Sequence, residues 1–171
     1  KVPFQVPEKK NQNDTRVSLQ HKFPISKNDI VFYFAFDFFS DVYRKNPQAI
    51  IHAFKRAFPF GDHYKLIIKS QNGTEEQEYD LRKLCNDDSR ITFLNETFTE
   101  EEMTNFMNMG DVYISLHRAE GLGMTIAETL LLEKPVIVTS YSGSLDFAKA
   151  PWAILVSHTM VPLHEGSFYR N

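Results

Sequence analysis

Apolar residues in this chain fall into two kinds of run: some are short and unbroken, others recur every three or four positions. From Ile30, "IVFYFAF" is β-branched and aromatic throughout, which predicts a strand buried on both faces, as in a parallel sheet. "NPQAIIHAFKRAF" follows with Ala49, Ile50, Ala53, Phe54 and Ala57 at helical spacing, and Pro47 suits the first turn. "YKLIIKS" predicts a second strand and "NGT" a turn. "EEQEYDLRKLC" predicts a helix whose acidic-to-basic order suits the helix dipole. "RITFLN" reads as a third strand, and "TEEEMTNFMNMG" as a helix with Thr99 as N-cap, Glu102 as its capping-box partner and an end near Gly110. "DVYISL", "KPVIVTS" and "WAILV" read as three more strands. A loop and helix from His117 separate the first two, and a loop through Gly143 into "SLDFAKA" precedes the last. Such alternation of strand and helix is the pattern of a doubly wound parallel α/β domain.

Residues 1–29 break the pattern. They are polar, carry Pro3, Pro7 and Pro24, and show a period only near Arg16 to Leu19. They are expected to form a linker with one short helix, leading into a domain over 30–171. The tail "HTMVPLHEGSFYRN" has no strong period and is either loop or the start of a further element.

Composition narrows the class. With 171 residues, 42% of them apolar, the chain is long enough for one domain with a sizeable core. A formal net charge of −3 gives no electrostatic footprint for nucleic acid, so no nucleic-acid partner is expected. A single cysteine, Cys85, excludes an intrachain disulfide and a cysteine metal site, and favours a reducing compartment. The Asn-x-Ser/Thr matches at Asn13, Asn72 and Asn95 are taken as chance on that ground. The longest apolar run, "IVFYFAFDFF", contains Asp37 and is too short to span a bilayer. A cytoplasmic protein is expected, with peripheral contact to the cytoplasmic membrane face left open. The six histidines have no pair at helical metal spacing, so no metal and no cofactor are expected. The chain starts at Lys1 and is expected to be a piece of a longer protein.

The candidate chemistry lies in "HRAEGLGMTIAETLLLEKPVIVTS", which runs from His117 to Ser140. In an open parallel sheet, ligands sit beyond the carboxyl ends of the strands, and this loop leaves such an end and opens a helix. Gly121 and Gly123 allow the backbone to approach a ligand closely. The helix is expected to start near Gly123 or Met124, so its free amides and positive dipole end form an anion site, to which Thr125 adds a hydroxyl. Glu120 precedes the helix and Glu128 lies in its second turn, about 6–8 Å further along. Neither carboxylate should touch a phosphate, because like charges repel. Each can accept from pairs of hydroxyls. A sugar nucleotide has that layout: sugar hydroxyls, a diphosphate in the middle, and ribose hydroxyls. A glutamate on a helix is ordinarily a solvated residue, so the pair informs only through its context.

That context is a resemblance. "SLHRAEGLGMTIAETLLLEKPVIVTSYSGSLDF" resembles the donor-binding segment of retaining glycosyltransferases of family 4, which have the GT-B fold. Glu120 and Glu128 match its two glutamates, and Gly121 and Gly123 its glycines, with Leu122 in place of the usual aromatic. Pro135, Val136, Ile137 and Gly143 match the following strand and loop. The likeness runs more weakly back to about residue 30. It implies one Rossmann-like half of a GT-B fold, with the N-terminal acceptor domain absent and both ends truncated. It also implies transfer of a sugar from a nucleoside diphosphate to an acceptor hydroxyl, with retention and without a metal. Glu120 would be a catalytic residue, contacting the donor sugar near the reaction centre, Glu128 would hold the ribose, and the amides from Leu122 through Met124 to Thr125 the sugar and diphosphate. The family also places an Arg at the end of the first strand and a Lys shortly after, both on the diphosphate. Lys45 fits the second, with Arg44 beside it, but Phe36 and Asp37 stand where the Arg is expected. Arg44 or Lys69 would compensate. The base would rest near the third strand's end, at Phe93, Leu94 or Asn95. His117 and Arg118 are placed to reach the sugar, His117 as a candidate catalytic residue. The acceptor is a glycan, lipid or protein.

Two other readings remain. The absent strand-end Arg favours a non-catalytic binding module that kept the fold. A nicotinamide-dependent dehydrogenase needs Gly-x-Gly-x-x-Gly after the first strand, where "DFFSDVYRKNP" has no glycine.

Overall fold

A computed structural model describes residues 7–19, 21–85 and 87–162. Six strands form one parallel sheet in the order β3-β2-β1-β4-β5-β6: β1 (Ile30–Ala35), β2 (Tyr64–Ser70), β3 (Ile91–Asn95), β4 (Val112–Ser115), β5 (Val136–Thr139) and β6 (Ala153–Val156). The order reverses between β1 and β4, and the crevice beyond the carboxyl ends at such a switch point is where doubly wound sheets bind ligands. The expected fold class is therefore present.

Helices α1 (Gln12–Leu19), α2 (Val42–Lys45), α3 (Pro47–Ala57), α4 (Glu75–Cys85), α5 (Glu100–Met109) and α6 (Met124–Leu131) join the strands. A short 3-10 helix, Gly143–Asp146, lies between β5 and β6. α3 packs beside α4, α1 beside α5, and α6 on β4 and β5. Thr99 and Glu102 form the expected capping box on α5. α2 was not expected. Asp41 caps it by accepting from the amides of Tyr43 and Arg44. Asn46 then takes a left-handed turn, φ 57°, and Pro47 opens α3.

The centre of β1 is buried on both faces. Tyr33 shows how this strand carries α6. Its ring fills the space that a side chain at Gly110 would need, and its hydroxyl meets Thr129 Oγ1 at 3.0 Å. Thr129 spends its own proton on the Thr125 carbonyl, 2.8 Å away, so Tyr33 is the donor.

Before residue 30 the expected short helix is present, but the described part of the segment is built into the domain. Leu19 and Phe23 belong to the core. The Arg16 guanidinium is buried and spends its donors on the Met109, Ser26, Lys27 and Asp29 carbonyls and, at 2.7 Å, on Asp111. Asp111 also accepts from the Val31 amide at 2.6 Å. The segment is held because the alternative is an unpaired buried charge. Residues 163–171, most of the tail without a period, lie outside the described residues.

Candidate functional site

The loops after β1, β4 and β5 meet at the switch point. α2 is fastened over the end of β4: the Arg118 amide donates to the Arg44 carbonyl at 2.8 Å, and Asn46 Nδ2 to the Leu116 carbonyl at 2.8 Å. Arg118 also stacks over Tyr43, 4.1 Å from the ring centre. This brings Lys45 to Glu120 across 75 residues of sequence: Lys45 Nζ lies 2.6 Å from one carboxylate oxygen, and Arg44 Nη1 3.5 Å from the other. Arg44 Nη1 also donates to the Ala119 carbonyl at 2.9 Å. Burial by itself would raise the Glu120 carboxyl, but Lys45 and Arg44 outweigh it and hold it below the usual carboxylate range.

Gly123 sits in the left-handed region, φ 73°, as the N-cap residue of α6, and no side chain caps that end. The first turn closes through the Ala127 amide on the Gly123 carbonyl, 3.0 Å, so the amides of Met124, Thr125 and Ile126 have no partner within the helix. Gly121 and Leu122 are exposed beside them. Glu128 lies one turn further on, half-buried, its carboxylate without a hydrogen bond or ion pair among the described residues, and burial raises its pKa. The loop and helix thus bring together open amides between one carboxylate paired to cations and one unpaired.

Three expected residues go elsewhere. His117 is 1% exposed and both ring nitrogens are engaged, Nδ1 with Ser115 Oγ at 3.0 Å and Nε2 with the Tyr141 carbonyl at 3.2 Å. A carbonyl accepts only, so Nε2 carries the proton and Nδ1 accepts from the serine. Burial lowers its pKa, more than the Tyr141 carbonyl and Glu120 raise it. It ties the β4 and β5 loops together and has no free nitrogen for a sugar. Lys69 points into the protein: its ammonium meets Gln71 Oε1 at 3.0 Å and the Phe98 ring at 5.1 Å, beside Asp37 and away from Lys45 and Glu120. Leu94 lies on β3 at the sheet edge, packed against the core. Its neighbour Asn95 is occupied with Gly73 and Glu78.

Sequence reasoning missed Ser142. Its hydroxyl accepts from the Glu120 amide at 2.9 Å and donates to the Glu120 carbonyl. Gly143 lies so close to the Gly121 carbonyl that a Cβ there would collide with it. Only the adjacent glycine was visible as a signal; the serine's role depends on a backbone angle that no spacing encodes. A cavity of about 510 Å³ opens next to these loops, lined by Tyr43, Arg44, His117, Arg118, Tyr141 and His158 among others. A broader depression over α4, between Glu75 and Asp87, lies apart from these loops.

The family model for glycosyl transferases group 1 matches residues 19–151, more than half of the chain. The chain belongs to this family. Its fold is likewise similar to that of several solved structures. A glycosyltransferase from Rickettsia africae superposes with a TM-score of 0.72 at 15% identity, over 88% of this chain and 39% of that one. HepE of Anabaena, solved with UDP and glucose, gives a TM-score of 0.71 at 16% identity, over 90% of this chain and 41% of its own. WaaG, a glycosyltransferase of lipopolysaccharide biosynthesis, gives 0.68 at 16% identity, over 93% and 43%. The chain thus spans less than half the length of each. No curated protein matches it. The Rossmann-like domain corresponds to one half of a GT-B fold. No helix among the described residues is long and apolar enough to cross a membrane.

Proposed function

We propose that this group 1 chain holds the donor, a nucleoside diphosphate sugar, for a glycosyltransferase that moves the sugar to an acceptor hydroxyl with retention of configuration. The observation that carries the reading is the open N-terminus of α6 between Glu120 and Glu128. The diphosphate lies on the amides from Leu122 to Thr125, where main-chain dipoles meet its charge. Lys45 and Arg44 are close enough to Glu120 to be shared with it. Glu120 takes hydroxyls of the sugar, and Glu128 takes those of the ribose. As the bond from the sugar to the diphosphate breaks, charge grows on the leaving group, and fixed amides and cations stabilise it most there. HepE's complexes with UDP and with UDP-glucose support a uridine donor for this fold. The acceptor, a glycan, lipid or protein, is held by the remainder of the enzyme, and this chain alone transfers nothing, because catalysis needs both substrates positioned across the cleft. A cytoplasmic location accords with a nucleotide sugar supply.

Titration of the chain with UDP and with GDP, by calorimetry or NMR, tests this. One nucleotide is expected to bind weakly, with shifts centred on residues 121–128. Shifts centred elsewhere, or an affinity unchanged in Glu128→Ala, would overturn the assignment.

Asp37 favours a second reading, a sugar-nucleotide or glycan binding module without turnover. It puts a carboxylate where the family has a phosphate-binding Arg. Donor hydrolysis by the full-length protein separates the two, since a binding module releases no free sugar.

A further inference from the structure

Ser142 is placed to cap a helix and does not cap it. It precedes the 3-10 helix Gly143–Asp146 as the N-cap residue, where a serine hydroxyl ordinarily accepts from one of the first amides. Its side chain makes no such bond. Its backbone lies at φ 79°, ψ −171°, a region that residues with a side chain rarely occupy and that costs stability. Glycine would adopt this conformation freely. The hydroxyl instead turns to the neighbouring loop and brackets one residue, accepting from the Glu120 amide at 2.9 Å and donating to the Glu120 carbonyl. The Gly143 amide adds a bond to the same carbonyl at 3.1 Å. The corner itself is anchored from behind by His117, which holds the Tyr141 carbonyl at 3.2 Å. Both backbone polar atoms of Glu120 are therefore fixed from residues 142 and 143, while its side chain is left to Lys45 and Arg44.

We propose that Ser142 is a positioning residue: its hydroxyl sets the backbone of Glu120, and so decides that this carboxylate meets the sugar end of the donor. The inference rests on the donor-binding reading above. It separates two effects that a structural residue would show together. Removing the hydroxyl loosens Glu120, whereas replacing serine by glycine also relieves the backbone. Ser142→Gly therefore leaves the melting temperature unchanged or higher. Ser142→Ala, which keeps a side chain at positive φ, lowers it. Both variants lose the same contact to Glu120.

The test compares these variants with the unaltered chain in two measurements. Hydrogen exchange at the Glu120 amide reads the loop without any ligand and is expected to be about tenfold faster in both variants, the effect of one lost hydrogen bond. Calorimetry then uses UDP with UDP-glucose and GDP with GDP-mannose, and the pair that binds is carried forward. Affinity for the bare nucleotide stays within about twofold, because it is held at the amides and Glu128, while affinity for the sugar conjugate falls about tenfold. In a Glu120→Ala background, Ser142→Gly adds no further loss, as a double-mutant cycle requires when one residue acts through the other. Equal losses for nucleotide and conjugate, or an added loss in that background, overturn the positioning role while leaving donor binding intact. Failure of the unaltered chain to bind either pair overturns the donor reading and this inference with it.

Discussion

Glu128→Gln should stabilise the protein and weaken its ligand. In the free chain this carboxylate is half-buried and has no hydrogen bond or ion pair among the described residues, and burial raises its pKa. An acid whose folded pKa lies above its unfolded value of about 4.3 contributes stability below that value and loses it as pH rises through the folded pKa. At pH 7 ionised Glu128 is therefore a cost, and the neutral amide of the same shape removes it. For a group still partly in water the gain is about 0.5 kcal/mol, or 1–2 °C in melting temperature for a domain of this size. Binding moves the other way. Hydrogen bonds to an ionised acceptor contribute about 1.5–3 kcal/mol against about 0.5–1.5 for neutral ones, so the variant loses about 1–2 kcal/mol. That is about five- to thirtyfold in Kd for the nucleotide. Thermal melts from pH 4 to pH 8 and calorimetry at pH 7 read both effects. The melting-temperature gain should vanish at the acid end, where wild-type Glu128 is protonated. In the wild type, nucleotide affinity should begin to fall at a pH above the usual glutamate range. A variant with a lower melting temperature and unchanged Kd would refute both halves of the argument.

Arg16→Met leaves Asp111 without its cation and frees the segment before β1. It should cost about 1–3 kcal/mol in urea unfolding, the loss of hydrogen bonds to a charged group, because Asp111 is partly exposed and keeps Gln12 and the Val31 amide as donors. Gly143→Ala sets a Cβ against the Gly121 carbonyl; the loops must part, and nucleotide binding measured by calorimetry should be lost while circular dichroism still reports the sheet. Lys45→Met removes the closest cation from Glu120. It should weaken UDP or GDP severalfold and flatten the salt dependence of Kd, because one screened charge is gone.

The sheet was legible because its strands are buried on both faces and so are continuously apolar, as in "IVFYFA" and "VIVT". α5 was legible because Thr99 and Glu102 bond each other's backbone across a fixed spacing. α2 was not: four residues carry no period, and only Asp41 hints at a cap. The burial of Arg16 depends on three carbonyls between Ser26 and Asp29 and on Asp111, 95 residues away, which no local pattern announces. In the site, the spacing of Glu120 and Glu128 showed because both lie on one loop and helix. The pairing of Lys45 with Glu120 depended on how α2 folds over β4. Lys69 misled because a lysine at a strand end is ordinarily solvated, whereas this one covers Phe98 and faces Asp37.

Asp37 stands just beyond β1, and its charge can be followed. Its carboxylate accepts from Gln71 Nε2 at 2.7 Å, from Asn72 Nδ2 at 3.0 Å and from the Phe39 amide at 2.8 Å. Burial pushes its pKa up, but these donors and Lys69 outweigh it and hold the group below the usual carboxylate range. It therefore carries its negative charge at neutral pH. A negative charge at the end of β1 opposes a diphosphate seated across the switch point. If a phosphate charge sat about 8 Å away in a largely aqueous crevice, it would be opposed by about 0.5 kcal/mol. Asp37→Asn keeps the shape and an acceptor for Asn72 and Phe39, gives up the bond from Gln71 and removes the negative charge, with Glu102 still facing Lys69, so it should tighten UDP or GDP by about fivefold, about 1 kcal/mol for two charges. The gain should shrink in 1 M salt, where the Debye length falls to about 3 Å. An unchanged Kd at low salt would mean that the diphosphate lies beyond the reach of β1, and that the carboxylate serves only to order the loop from Phe38 to Asp41.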